Sequence, residues 1–153
     1  MMSEMFDAAL IANLVANVVA TWMMIGVIWF VQVVHYPLLA GTAIDRAVDV
    51  AHDHQRRTGQ VVALPMTVEG VTVLVLLVAR PDGVSWWLPW IGAVLLAVAL
   101  GCTVLLSVPL HSQMASAPAA DTGRRLVLTN WPRTIAWSLR GLVVVAMLSQ
   151  AVP

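Results

Sequence analysis

Charged side chains are scarce in this chain, which has eight basic and eight acidic residues among 153. Hydrophobic residues make up 60% of the chain, and its mean hydropathy is +0.87. Soluble domains carry charge on about a quarter of their residues. The composition therefore excludes a soluble domain and predicts an integral membrane protein.

The chain also lacks lysine, a second cysteine and any excess of basic residues. Its formal net charge of +0 argues against nucleic acid as a partner, because phosphate binding needs surplus positive charge. Cys102 alone cannot form an internal disulfide. The sequence has no local metal motif such as HExxH or CxxC. It also has no internal repeat, which counts against a transporter built from paired halves.

Four hydrophobic stretches approach or exceed the ~20 residues that a bilayer requires. They cover about residues 8–39, 59–79, 86–110 and 131–152. The sequence thus predicts a single domain over 1–153, an all-α membrane four-helix bundle with up-down-up-down topology. The first stretch is far longer than the apolar core of a signal peptide, so we expect it to stay in the mature protein.

The arginines predict the orientation of this bundle. The segment between the first two stretches holds three arginines and the segment between the last two holds two, whereas the opposite side has only Arg80. Short cytoplasmic loops carry the excess of basic residues. We therefore expect both termini on the non-cytoplasmic side of the inner (plasma) membrane.

Each stretch carries polar residues that share one face of a helix at 3.6 residues per turn. In a bundle such faces turn toward one another and away from lipid. The aligned residues are Asn13, Asn17, Thr21, Gln32 and His35 in the first stretch, His54, Thr58, Pro65 and Glu69 in the second, Thr103, Ser107 and His111 in the third, and Asn130, Arg133, Trp137 and Arg140 in the fourth.

Two ionisable residues, Glu69 and Arg140, lie deep within apolar stretches. A charge in hydrocarbon is costly unless it is paired or faces a polar cavity. The two residues are predicted to lie about one helical turn apart in depth, a gap that an arginine can cover. We consider two roles: a structural ion pair, or catalysis in which Glu69 moves a proton while Arg133 and Arg140 stabilise negative charge.

The four histidines are predicted to gather at the cytoplasmic end of the bundle, with His54 favoured over His52 because it continues a polar face. Two cofactor geometries would use them together. His35 and His111, on diagonal helices, could bind the iron of haem b from opposite sides. Alternatively, His35, His54 and His111 could hold iron, copper or zinc with one open position. The spacing leaves both open, as well as simple hydrogen bonding to backbone carbonyls.

Three segments carry a resemblance to a known family. They are GVIWFVQVVHYPLLA at the end of the first stretch, VPLH at the end of the third and TNWPRTIAWSLR at the start of the fourth. With four spans in about 150 residues, the chain resembles small bacterial four-helix membrane proteins of the anthrone oxygenase-like type. The resemblance implies oxygenation of polycyclic aromatic substrates and assigns no residue a role. Small four-helix haem proteins that act on porphyrinogens share the topology.

Three classes of function follow. The favoured one is a membrane oxidoreductase or oxygenase that takes a quinone-like or polycyclic aromatic molecule from the bilayer and uses a histidine-bound metal or haem. The second is a non-catalytic small subunit of a larger redox or light-harvesting complex, with histidines that bind pigment or haem. The third is a transporter of a small ion along the polar faces. The expected partners are the lipid bilayer, a hydrophobic small molecule, and either further copies of this chain in a homo-oligomer or a larger membrane complex.

Overall fold

A computed structural model of the protein describes residues 2–43, 45–117, 119 and 121–152. These residues form helices and no strand. Two five-residue π-helical turns, Val31–His35 and Thr103–Ser107, interrupt the series. The α-helices are α1 (Met2–Phe30), α2 (Tyr36–Ala40), α3 (Ala47–Val78), α4 (Trp87–Cys102), α5 (Val108–Ser116), α6 (Thr122–Thr129) and α7 (Trp131–Ala151).

Several of these helices join end to end, which gives four helical segments long and apolar enough to cross a membrane. We call them spans one to four, and the prediction of an all-α chain with four such helices is confirmed. Their most apolar windows have mean hydropathies of 2.1, 2.3, 2.5 and 1.3 in chain order. The spans are Glu4–Ala40, Ala47–Val78, Trp87–Ser116 and Thr122–Ala151.

The helices extend beyond the apolar stretches from which they were predicted. Span two begins at Ala47, about three turns before the predicted start near Gly59, so the charged run around Asp53 is helical. Hydropathy locates only the part of a helix that matches hydrocarbon, whereas the helical hydrogen bonds continue wherever the backbone allows. His54 consequently lies within a helix and not in the connection before it.

Each π-helical turn ends two residues before a proline, Pro37 in one case and Pro109 in the other. Proline has no N–H and its ring clashes with the carbonyl oxygen four residues earlier in a regular α-helix. A wider turn ahead of the proline accommodates this conflict and shifts the helical register. The two turns therefore set the direction of the side chains at the ends of spans one and three.

The four spans pack in a ring in chain order. α1 contacts α3 and α7, and α4 contacts α7 and, less extensively, α3. Consecutive spans are antiparallel, because His35 at the end of span one bonds to His54 near the start of span two. At the opposite end, the backbone N–H of Ser85 donates to Gln150 near the end of span four over 2.8 Å. Spans one and three thus occupy opposite corners.

Apolar side chains cover the outside of this bundle, while its interior contains several polar groups. Glu69, Arg140 and Asn17 are each 0% exposed. A soluble protein shows the reverse distribution, with charge outside and apolar groups within. Exposed apolar side chains occur on every span, among them Val19, Leu38, Leu64, Leu74, Val94, Leu105, Ile135 and Leu142.

Candidate functional site

Three histidines from three spans meet at one end of the bundle. His35 Nε2 lies 2.6 Å from His54 Nδ1, and the two rings are stacked with centroids 4.5 Å apart. The His54 and His111 rings follow at 4.7 Å between centroids. His52, two residues before His54, is exposed. The structure therefore brings His35, His54 and His111 into one row, with His54 in the middle.

Tyr36 and Gln55 are the two polar residues of this site that the sequence pattern missed, and Tyr36 is the more deeply buried. Its side chain is buried, and its hydroxyl lies 2.9 Å from His111 Nε2. Tyr36 directly follows the π-helical turn, and that turn shifts the register on which the polar faces were predicted. The available clue was Pro37, directly after His35 and Tyr36. A proline disturbs the regular helix on which the polar faces were predicted, so the face of Tyr36 could have been questioned.

Further side chains of α3 hold the histidine row in place. Thr58 Oγ1 lies 3.1 Å from His54 Nδ1, so it shares this nitrogen with His35. Gln55 Nε2 donates to the backbone carbonyl of His111 over 3.0 Å, which ties span two to span three. The contacts of His54 with His35 and Thr58 both use its Nδ1. Among the described residues no polar atom bonds to the other ring nitrogen, Nε2, which leaves that nitrogen for a ligand.

Arg133 approaches the same region from span four. Its NH1 donates to Ser107 Oγ over 2.8 Å, and its guanidinium carbon lies 5.6 Å from the centre of the Trp137 ring. Ser107 ends the second π-helical turn, so Pro109 indirectly sets the position of this acceptor. A cation over an indole face is attracted by the negative face of the ring. The guanidinium is thus held from two directions.

These residues surround a cavity of about 260 Å³. Val62, Met66 and Val108 supply apolar walls. Three buried side-chain polar atoms in the described part of the chain have no hydrogen-bond partner, and two of them, His111 Nδ1 and Arg133 Nε, belong to residues that line this cavity. Its polar lining residues are Tyr36, His54, Gln55, Thr58, Thr103, Ser107, His111 and Arg133.

The histidines do not fit the predicted metal site of His35, His54 and His111. Within the described ranges, no group of three or more His, Cys, Asp or Glu side chains has a geometry that could hold a metal ion. Two nitrogens on one tetrahedral zinc would be about 3.3 Å apart, given Zn–N bonds of roughly 2.05 Å. The 2.6 Å between His35 and His54 is instead a hydrogen-bond distance.

The predicted haem site fits no better. A haem bound by His35 and His111 would lie between the two rings, and there the ring of His54 stacks on His35 and neighbours His111. Moreover, His111 Nε2 is directed at the Tyr36 hydroxyl. Sequence spacing placed these histidines at one depth, but it could not reveal that their nitrogens face one another and a tyrosine.

The two deep charges, Glu69 and Arg140, form an ion pair, as their depths predicted. Arg140 Nε donates to Glu69 Oε1 over 2.6 Å, and both side chains are fully buried. The other donors of Arg140 bond to the Gly92 carbonyl on α4 and, over 3.2 Å, to Asn17 Oδ1 on α1. The side chain therefore links α7 to each of the other three spans.

Glu69 is equally saturated. Thr21 Oγ1 donates to its Oε1 over 2.8 Å and Trp137 Nε1 to its Oε2 over 3.0 Å. Neither Glu69 nor Arg140 lines the cavity beside the histidines. Of the three residues predicted to be catalytic, only Arg133 therefore lies at the cavity, and Trp137 separates it from the ion pair along α7.

Comparison of the chain with protein-family models, with curated proteins and with solved structures found no match. The resemblance to anthrone oxygenase-like proteins stays a prediction from the sequence.

Proposed function

We propose that this protein is a membrane-embedded oxidoreductase that acts on a hydrophobic aromatic molecule bearing an acidic O–H or C–H group, such as a quinol or an anthrone. The observation that carries the proposal is the cavity beside the histidine row, which is lined by residues of all four spans. It combines apolar walls with His111 and Arg133, whose side chains each contain one buried nitrogen, Nδ1 and Nε, without a hydrogen-bond partner. A mostly apolar cavity with a few convergent polar side chains is the usual form of a small-molecule site.

In this proposal the four spans cross the inner (plasma) membrane with both termini outside. The apolar outer surface supports insertion, since lipid-facing side chains must be apolar. Trp86, Trp87 and Trp90 are exposed at one end and Trp131 at the other, as in the aromatic belts of membrane proteins. The excess of arginines in the connections at the histidine end favours the cytoplasmic face for that end.

Arg133 binds the oxygen of the substrate and stabilises the negative charge that develops when the substrate loses its proton. A guanidinium stays charged at any physiological pH, and its planar set of donors suits an oxyanion. Ser107 and Trp137 fix its direction before substrate binds. Preorganised charge of this kind requires little rearrangement during reaction.

His54 accepts the proton. Its Nδ1 is engaged by His35 and Thr58, whereas its Nε2 is available at the cavity. A base whose second nitrogen is held by a partner is already oriented for proton transfer. The resulting anion is electron-rich and is oxidised more readily than the neutral substrate.

Oxidation of anthrone by one O2 yields anthraquinone and one water. The first C–H proton of the methylene carbon passes to His54, and the resulting anion adds O2 to form a peroxide anion. The second C–H bond and the O–O bond then break, which leaves the new ketone and one hydroxide ion. That hydroxide takes up one proton, equivalent to the proton first removed, and leaves as water. No step requires Glu69 or Arg140, to which we assign the assembly of the four spans.

The test uses the protein purified in lipid nanodiscs, with O2 uptake measured in the presence of anthrone and, separately, of a short-chain quinol. Arg133→Ala should lower kcat/KM about 100- to 1000-fold, the cost of removing one oxyanion donor. The matched control is Arg125→Ala, because Arg125 is exposed on the same span. Turnover of neither probe by the wild type would contradict the proposal.

An absorption spectrum and a metal analysis of the same sample test the predicted cofactors. One contradicting result is a Soret band; another is iron or copper that is bound in stoichiometric amount and lost in His54→Ala. Either would show that these histidines bind a cofactor, and the proposed proton transfer to His54 would be wrong. Equal turnover by the wild type and Arg133→Ala would contradict the role of Arg133 in stabilising the substrate anion.

A further inference from the structure

A second cavity lies on the other side of the His35–His54 pair. This outer groove runs between spans one and two, has a volume of about 350 Å³ and is lined by His35, Arg57, Thr58 and apolar residues. The cavity of about 260 Å³ described above, which we call the inner cavity, has His54, Thr58 and His111 among its lining residues. His35 lines only the groove and His54 only the inner cavity, and Thr58 borders both.

We propose that the His35–His54 pair is a proton relay that carries the substrate's proton from the inner cavity to the outer groove. This inference rests on the proposed function. The 2.6 Å separation of His35 Nε2 and His54 Nδ1 is short enough for direct transfer of a proton between the rings. Arg57, whose side chain is 72% exposed, marks the end of the groove that meets water.

Each step of the relay breaks one bond to hydrogen and forms another. The substrate O–H or C–H bond breaks and an N–H bond forms at His54 Nε2. The Nδ1–H bond of His54 breaks as an N–H bond forms at His35 Nε2. His35 then releases its Nδ1 proton to water in the groove. The result is a substrate anion beside Arg133, one proton outside the cavity and two neutral imidazoles, each in its other tautomer. When the hydroxide formed later takes the proton from His54 Nε2, the same transfers run in reverse and restore both rings.

The relay also explains why the site needs two histidines at hydrogen-bond distance. A proton left on His54 would remain in a cavity that already contains the positive charge of Arg133. Like charges at such short range repel strongly where water is sparse. Moving the proton through His35 to water in the groove relieves that repulsion and leaves the attraction between Arg133 and the substrate anion intact. Arg57 repels the arriving proton only weakly, because its side chain is exposed to water and shares the Asp53 carboxylate with Arg56.

The experiment compares His35→Ala and His35→Gln in nanodiscs, with anthrone as the probe and His52→Ala as the control. Both His35 variants should retain anthrone binding, measured by fluorescence titration, and lose about 100-fold in kcat, the low end for an assisted proton transfer. Imidazole added to the buffer should restore turnover of His35→Ala, because its ring can occupy the vacated place. His52→Ala should keep the wild-type kcat, since His52 is exposed and lines neither cavity.

Several results would overturn the relay. Wild-type kcat in His35→Gln is one, because glutamine fills the position but cannot shuttle a proton. A loss of kcat in His35→Ala that imidazole does not restore, together with weaker anthrone binding, would indicate a structural role instead. A metal ion that is bound in stoichiometric amount by the wild type and lost in His35→Ala would show that His35 and His54 bind metal and do not relay a proton.

A readout without turnover separates the relay from the proposed function. In 15N-histidine-labelled protein, NMR should detect one proton shared between His35 Nε2 and His54 Nδ1, and His35→Gln should remove it. If that shared proton is present but anthrone and quinol are not oxidised, the proposed reaction is wrong, whereas the proton-sharing His35–His54 pair is confirmed. If it is absent, the relay fails whatever the protein catalyses.

Discussion

Arg140 and Glu69 form a buried ion pair in which Arg140 Nε donates to Glu69 Oε1 over 2.6 Å. Every other polar group of the two side chains also has a partner, supplied by α1, α4 and α7. A buried pair is stable only when its remaining hydrogen-bonding groups are satisfied in this way. The pair is thus the centre of a network that connects all four spans.

A double-mutant cycle tests this assignment. Glu69→Gln or Arg140→Gln alone strands one charge in a low-dielectric interior and should destabilise the protein by about 3 to 5 kcal/mol. The double variant should cost less than the sum of the two, because no unpaired charge remains. Reversible unfolding in detergent mixtures measures each value. Strict additivity would show that the two side chains do not interact.

Gly92 should be intolerant of even one added methyl group. A Cβ at this position would lie 2.9 Å from Arg140 NH1, which donates to the carbonyl of the same residue. Gly92→Ala should therefore destabilise the protein by about 1 to 3 kcal/mol, the usual cost of overpacking. The control is Gly26→Ala, since nothing lies within 4 Å of a Cβ there. In that variant the better helix propensity of alanine should leave stability equal or higher by up to about 1 kcal/mol.

Pro109 should control the geometry of the inner cavity. Pro109→Ala restores a backbone N–H and permits a regular α-helix in place of the π-helical turn before it. In the wild type, Arg133 NH1 donates a hydrogen bond to Ser107 Oγ over 2.8 Å. The register change should break this hydrogen bond. The loss of a fixed position for Arg133 should lower kcat/KM about tenfold or more. Pro132→Ala is the control, because Pro132 lies in the first turn of α7, where proline is tolerated. Equal losses in the two variants would contradict the assignment.

The orientation in the membrane is open to a direct test. A C-terminal fusion to a reporter that is active only outside the cytoplasm should be active, because the arginine-rich connections are expected on the cytoplasmic side. The same reporter placed after Arg125 should be inactive. Activity in the reverse pattern would put the histidine end on the outer side and direct the proton toward that compartment.

The sequence predicted the fold, and it also predicted the ion pair. Hydropathy and span length were sufficient for four helices, and the depths of Glu69 and Arg140 predicted their contact, because 1.5 Å per residue fixes how far each lies along its helix. Helical periodicity likewise placed Ser107, His111 and Arg133 on inward faces. These inferences depend on average helix geometry, which the chain follows over most of its length.

The chemistry of the site was less predictable because it depends on departures from that geometry. The π-helical turn before Pro37 shifts the register at the place where Tyr36 enters the site. Depth and face placed the histidines together, yet the direction of each ring nitrogen follows from side-chain rotation. That direction distinguishes a hydrogen-bonded pair from the metal or haem sites that the spacing suggested.

The network around Arg140 has a consequence for the order in which the protein is made. Three spans emerge from the ribosome before α7, and they already contain Glu69 without its arginine. Among the described residues, the side-chain donors to that carboxylate are Thr21, Trp137 and Arg140, and only Thr21 precedes α7 in the chain. The bundle therefore becomes complete only when the last span inserts, and a chain that ends before α7 should be recognised by membrane proteases as unfinished.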